Sequence, residues 1–459
     1  MIPSISYKTL IKDNLIIIGI VLLSWIIVYS NYSSVITYFY ILLLGYQLLS
    51  FQKAVNIFLF SIMFLYLPNF FGGEILPFSR FTLIPLILLA NKRKRIRPFN
   101  INRSSYFTLL FVAVYVVKIF ADIEHLLDEN EQFSLLTMID SNVAALSIYY
   151  FLYIVFTRYT INELNDLLTI VILFVFLQAS MSISLMLSSP EVFINSSSLS
   201  TFHISNEKYL SNRNEWAPFF AITSIILLIF ASSKKNRNLF MYAMIGILIT
   251  NVLFGLSRRG YMLFLVGYIF YLIFSRKLYA SIVFIVLGLA FILFQPKVVS
   301  QRLDSVYTAQ SVDDLRQASS GQFHIEAVDQ SKSNITIIPN SFTNDYESYN
   351  LSESFWSGLL YRQGILGFLF QLVMLFLLLR RYLSYYKRDT SGVDLHITIN
   401  LTIIITFFVM SFFSTTCYFI NYVGNIRPIG LLAFILFLYT ELVIHENIKR
   451  LVSENDQKI

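Results

Sequence analysis

The chain has 459 residues, of which 56% are hydrophobic, 17% aromatic and only 13% charged. A soluble domain is about one-quarter charged, so this composition excludes an ordinary water-soluble globule. The net charge of +7 reports the sidedness of its loops rather than nucleic-acid binding, because the basic residues cluster between apolar runs. Cys417 is the single cysteine, which excludes a disulfide within the chain and a cysteine metal cage.

Fourteen apolar segments follow one another at 15–30, 34–51, 54–71, 75–90, 104–121, 141–157, 167–188, 215–232, 239–256, 260–275, 279–296, 360–379, 397–415 and 428–445. A hydrocarbon layer about 30 Å thick demands roughly 20 such residues of a helix, so the predicted fold is an all-α polytopic integral membrane protein. No small-residue cleavage site follows the first run, which reads as an uncleaved span. With Lys8 and Lys12 inside, the inner segments hold Lys53, Lys92-Arg-Lys-Arg95 with Arg97 and Arg103, Arg158, and Lys234-Lys235 with Arg237. They also hold Arg276-Lys277, Arg380-Arg381 with Lys387 and Arg388, and the tail residues Lys449, Arg450 and Lys458. That is 22 of the 34 basic residues. Losing or adding one span would break this alternation, so both termini are predicted to be cytoplasmic.

The domains then read as helices 1–11 over 1–296, a large outer loop over 297–353 between helices 11 and 12, and helices 12–14 with a cytoplasmic tail over 354–459. Two other outer loops are long. The 122–140 loop is acidic, and the 189–214 loop is rich in Ser and Asn. Loops of such length in compact proteins are usually functional or disordered. No internal repeat of the kind many transporters carry is present.

No phosphate-binding Gly-x-x-x-x-Gly-Lys-Ser/Thr loop and no His-Glu-x-x-His occurs, and the five histidines are scattered. The first outer loop, around Asn31–Ser34, lacks the carboxylates that metal-using lipid-linked glycosyltransferases often place there. No metal, nucleotide or other cofactor is therefore expected. What remains is a set of arginines at the outer boundaries: Arg213, Arg258, Arg259, Arg302, Arg362 and Arg427. Singly, each reads equally well as a residue snorkelling to the interface. Together they run against the usual charge bias and point to a basic pocket for an anionic head group. A lipid-linked diphosphate sits at that depth and offers several oxygens to a planar guanidinium.

A second signal closes the large loop. It reads Glu353-Ser354, nine residues, Gly364, two residues, Gly367. This spacing resembles the motif of O-antigen ligases, which carry His where this chain has Glu; an acidic residue there resembles the related polymerases. Arg259-Gly-Tyr-Met-Leu263 resembles a further element of that superfamily, in the setting Ser257-Arg258-Arg259-Gly260. So does Asn212-Arg-Asn-Glu-Trp-Ala217 at the entry of a span. The chain thus resembles bacterial oligosaccharide repeat-unit (O-antigen, Wzy-type) polymerases of the O-antigen polymerase/ligase superfamily.

That resemblance implies a GT-C-like glycosyltransferase in the inner membrane with its active site facing the periplasm. Its partners would be an undecaprenyl-diphosphate-linked oligosaccharide, membrane lipid and a chain-length regulator protein. Glu353 would be the base and Arg259 a catalytic residue. Arg213, Arg258, Arg302, Arg362 and Arg427 would hold the diphosphate and glycan. The carboxylate has an ordinary alternative role as an acid just before a helix, where the dipole favours it. Two other functions remain open: an O-antigen ligase acting on lipid A core, and a lipid-linked oligosaccharide flippase. Against a flippase stand the long outer loop and the near absence of charge within spans, with Lys118 the main exception.

Overall fold

The computed structural model describes residues 12, 14–19, 22–23, 33–63, 78–93, 115–120, 122–123, 135–188, 201–204, 207–210, 213–231, 239–254, 257–275, 335–338, 355–387, 394–412, 419 and 427–456. The described helices are α1 (Ser33–Gln47), α2 (Phe51–Met63), α3 (Phe78–Lys92), α4 (Leu135–Arg158), α5 (Ile161–Ser188) and α6 (Arg213–Ala231). They continue with α7 (Leu239–Phe254), α8 (Arg258–Ser275), α9 (Phe355–Lys387), α10 (Asp394–Ser411) and α11 (Pro428–Asp456). Each overlaps one of the fourteen apolar segments. Of the other three, 15–30 and 104–121 are helical at 14–19 and 115–120, and 279–296 lies outside the described residues.

Among the described residues, the chain departs from the expected all-helical pattern at one place. Thr201–Ile204 (β1) and Glu207–Leu210 (β2) pair antiparallel, with Thr201 opposite Leu210 and Ile204 opposite Glu207. Alternating Phe202, His203 and Ile204 before Ser205-Asn206 is the local pattern of a short hairpin, which the Ser and Asn content of the loop obscures. Helix ends also differ from the apolar runs. α9 extends from 355 to 387 where the run spans 360–379, and α11 continues to Asp456 into the predicted tail. Hydrogen-bonded turns continue past the apolar stretch, because charged helix formers such as Glu, Lys and Arg propagate a helix as readily as Leu.

α8 packs between α6 and α10, with α7 against α6 and α9 against α10. α1, α2 and α3 form a smaller group joined to it through α5 and α4. Gly267 sits where three helices meet: a Cβ there would lie 2.4 Å from Ile225 Cδ1 and 3.3 Å from Thr406 Oγ1. Pro428 opens α11 where its missing N–H costs nothing. Gly430, two residues on, leaves room for the Phe419 carbonyl, which would stand 1.9 Å from a Cβ. The Arg427 amide donates to that carbonyl at 3.2 Å. Phe419 is itself buried against Phe407, Phe434 and Phe437.

Polar side chains are buried among the helices, and apolar ones also face outward. Gln47, Gln178, Ser182, Thr223, Asn251, Asn400 and Thr406 are buried. Two of them tie helices together: Gln47 donates to the Ala54 and Thr82 carbonyls, and Asn251 to the Ala179 carbonyl at 2.9 Å. Large apolar side chains instead line outer faces at helical spacing, as with Met262, Leu265, Ile269 and Ile273 on α8, and Leu366, Leu369, Val373 and Phe376 on α9. Two stretches of 24 residues, Ile161–Ser184 and Gln363–Tyr386, are long and apolar enough to cross a membrane.

Charged pairs sit at helix ends. Arg381 grips Glu441 with two hydrogen bonds, one of 2.7 Å, joining α9 to α11. Where α4 gives way to α5, Thr160 and Glu163 form a reciprocal cap: the Thr160 amide donates to Glu163 Oε2 at 2.8 Å, and the Glu163 amide to Thr160 Oγ1 at 3.3 Å. Glu163 also pairs with Arg93, whose guanidinium covers the rings of Phe51 and Tyr159. Burial pushes the Tyr159 phenol well above its ordinary range, so it stays protonated and donates to Gln52 Oε1.

Gly430→Ala is expected to destabilise the protein by about 1–3 kcal/mol, because backbone rather than a side-chain tip fills the space. Gly45→Ala and Gly246→Ala meet nothing within 4 Å and are expected to be neutral or mildly stabilising. Thermal unfolding in detergent, comparing the three variants, checks both directions.

Candidate functional site

Ser257 is buried just ahead of α8. Its hydroxyl accepts from the Gly260 amide at 3.4 Å and its carbonyl from the Tyr261 amide at 3.1 Å, so the Ser-Arg-Arg-Gly element is a helix cap followed by a first turn. Arg258 and Arg259 begin α8 with no acidic residue in that turn. Arg259 is half-buried and Leu263, four residues on and hence on the same face, is fully buried. That explains the Arg-to-Leu spacing: the leucine anchors the face that holds the arginine.

Gly260 brings a second helix start to this point. A Cβ there would lie 2.8 Å from Ala217 Cβ, so α6 and α8 touch backbone to backbone near their beginnings. The pairs Gly260–Ala217 and Gly267–Ile225 advance together along both chains, so the two helices run parallel. Arg213 is the first residue of α6. Two helix starts therefore lie side by side, and arginines occupy the first turns of both.

The starts of α9 and α11 reach the same region through α10. Trp356, in the first turn of α9, donates its indole N–H to Ser411 Oγ at the end of α10 at 2.5 Å. Phe419, which accepts from the Arg427 amide before α11, packs on Phe407 in the last turns of α10. The structure thus gathers the segments of Arg213, Arg258, Arg259 and Arg427 around one end of α10. Arg362 lies in α9 close to a break in that helix; Arg302 and Glu353 lie outside the described residues.

The break occurs at Gly364, whose φ of 68° and ψ of −173° leave the helical region. It folds the first part of α9 back on the second. Trp356 and Phe368 would be about 18 Å apart along a continuous helix, yet their rings are 5.5 Å apart. A piece of the large loop, residues 335–338, lies in the gap. Its Thr336 and Ile337 carbonyls accept from the Ile365 and Leu366 amides at 3.0 and 3.1 Å, replacing helical partners lost at the break. A Cβ on residue 364 would stand 2.8 Å from both carbonyl oxygens. Only glycine meets both demands, positive φ and close backbone approach.

Gly367 completes the junction, with Gln363 and Phe120 against it. Gln363 is buried and donates to the Val117 carbonyl at 2.9 Å. The next residue, Lys118, is 1% exposed and pairs with Asp122 at 2.5 Å, while Asn142 donates to the other Asp122 oxygen at 2.9 Å. A charge buried in this way requires a partner, and Asp122, expected as part of an acidic loop, supplies it. The glycines were visible in the sequence as an interruption of an apolar run. The docked 335–338 stretch and the Lys118–Asp122–Asn142 cluster carried no such signal beyond the isolated lysine. Among the described residues, no three His, Cys, Asp or Glu side chains are grouped closely enough to hold a metal ion.

No protein-family model matches this chain, and no curated protein matches it.

Gly364→Ala is expected to release residues 335–338, since it adds both strain and a clash. Hydrogen exchange at the Ile365 and Leu366 amides should accelerate, and unchanged protection there would show that the docking does not depend on glycine.

Proposed function

We propose that this chain is a membrane glycosyltransferase that polymerises undecaprenyl-diphosphate-linked oligosaccharide repeat units into O-antigen or capsular polysaccharide. It works at the periplasmic face of the bacterial inner membrane. The observation that carries this reading is the pair of touching helix starts bearing Arg213, Arg258 and Arg259. A helix start already carries about half a positive charge and favours acidic residues. Three arginines there add to that positive field, with Glu215 the acid in the first turn of α6, and a diphosphate leaving group is an anion the field would attract. The outward apolar stripes of α8 and α9 support immersion in lipid. The overlap of described helices with the apolar runs supports a GT-C-like bundle of about fourteen spans.

In the proposed reaction, an acceptor sugar hydroxyl attacks the anomeric carbon of the lipid-linked glycan. The new C–O bond forms as the bond to the diphosphate breaks. Glu353 takes the hydroxyl proton, and undecaprenyl diphosphate departs with the bonding electrons. Arginines that bind the developing phosphate charge more tightly than the intact donor lower the barrier. The lipid-linked donor makes a nucleotide sugar unnecessary. A separate chain-length regulator would act on this chain from outside the site.

Arg259→Ala and Glu353→Gln are each expected to cut transfer by about a hundredfold or more, measured as loss of the long polysaccharide ladder with surface glycan of one repeat unit remaining. A full ladder in both variants rejects the assignment. Glycan left on the carrier lipid points instead to a ligase, and glycan trapped inside to a flippase. Cysteines introduced into the 297–353 loop should label with impermeant reagent from the periplasmic side. Labelling only after the membrane is opened would invert the topology and remove the site.

A further inference from the structure

At the junction of α4 and α5, far along the chain from these arginines, one cation has no counterpart. Arg158 closes α4 and is 8% exposed. Its Nε and Nη1 are buried, and neither has a hydrogen-bond partner. A guanidinium held out of water without an acceptor is strongly disfavoured.

Most groups around this junction are already committed, although the buried Asn165 Oδ1 in the first turns of α5 has no hydrogen-bond partner. Glu163 accepts from Arg93, from the Thr160 amide and from the Thr160 hydroxyl. Gln52 Oε1 accepts from Tyr159, Asn56 Oδ1 from Gln52, and Asn14 Oδ1 from Asn56. Asp166, the other carboxylate in the first turns of α5, is exposed and forms no ion pair with Arg158. Lys53 lies over the Tyr46 ring at 4.2 Å and Lys92 is exposed at the end of α3, which adds positive charge at the neighbouring helix ends. Arg93 already engages Glu163, and Arg158 adds a second guanidinium at the end of α4, buried and without that carboxylate as its partner.

We propose that Arg158 anchors a phosphate-binding site at the α4–α5 junction, filled by a monoanionic or dianionic phosphate group. The group comes either from an anionic phospholipid at the membrane surface or from free inorganic phosphate. The planar guanidinium supplies directed N–H donors. Basic pockets between helices at a membrane surface suit phospholipid head groups for the same reason. The site is independent of glycosyl transfer and stands whatever the outer arginines bind.

The test is the melting temperature of the full-length protein in neutral detergent, with and without phosphatidylglycerol, phosphatidylcholine or millimolar inorganic phosphate. A ligand that binds the folded state raises that temperature in proportion to its affinity. Phosphatidylglycerol is expected to raise it and phosphatidylcholine is not. Arg158→Gln should lose most of the rise, a weakening of roughly tenfold or more in affinity, while melting no earlier than the unaltered protein when no phosphate probe is present. That last readout separates a ligand site from a purely structural arginine. If inorganic phosphate alone reproduces the rise, and only with Arg158 in place, the ligand is free phosphate. If no phosphate-bearing probe distinguishes the two proteins, the proposal is overturned. Should the Gln variant not fold, Arg158→Met replaces it, and native mass spectrometry of the unaltered protein must find retained phosphatidylglycerol or phosphate. Finding neither also overturns the proposal.

Discussion

The contact between Gly260 and Ala217 is the constraint on which the arginine-bearing end of the bundle depends. It lets two parallel helices begin in register with their backbones in touch. Parallel neighbours add their end charges, whereas antiparallel neighbours would cancel them. A side chain at position 260 would wedge the starts apart and dilute that field. The glycine therefore does electrostatic work through geometry: it keeps Arg213 and Arg259 on adjoining first turns.

A second constraint acts through backbone hydrogen bonding. A helix broken within an apolar environment must satisfy the amides it exposes. At Gly364 the partners come from the large loop, so the loop is part of the bundle's hydrogen-bond inventory rather than an appendage. Val117, Gln363 and Gly367 lock the same junction from the opposite side, beside the Lys118–Asp122 pair. Lys118, the one cation that stood out within a span, is thus a neutralised element next to the motif-bearing helix.

Helix positions were legible in the sequence because apolar runs of fixed length leave little freedom: α6, α7, α8 and α10 lie within a few residues of the runs that marked them. The grouping of Arg213 with Arg258 and Arg259 was legible only as a charge anomaly. Its cause, the small residues Gly260 and Ala217 in facing positions, requires knowing which helices are neighbours. The break in α9 was half-visible. Gly364 and Gly367 stood out, but positive φ and a docked carbonyl depend on residues 335–338, nearly thirty positions away. Composition also concealed the hairpin at 201–210, since Ser and Asn read as loop whether or not they flank short strands. Arg158 looked like one more basic residue marking a boundary, and only its burial sets it apart.

Docking of Thr336 and Ile337 onto Ile365 and Leu366 has a topological result. It ties the chain into a ring whose clasp is a pair of peptide hydrogen bonds, and Glu353 belongs to that ring. Most of the entropy of closing so long a circuit is lost once, when the clasp forms, and grows only slowly with circumference. Residues could be added to or removed from the ring with little thermodynamic effect, while the clasp itself tolerates almost no change. Such a ring can change its length without disturbing the helices that anchor it.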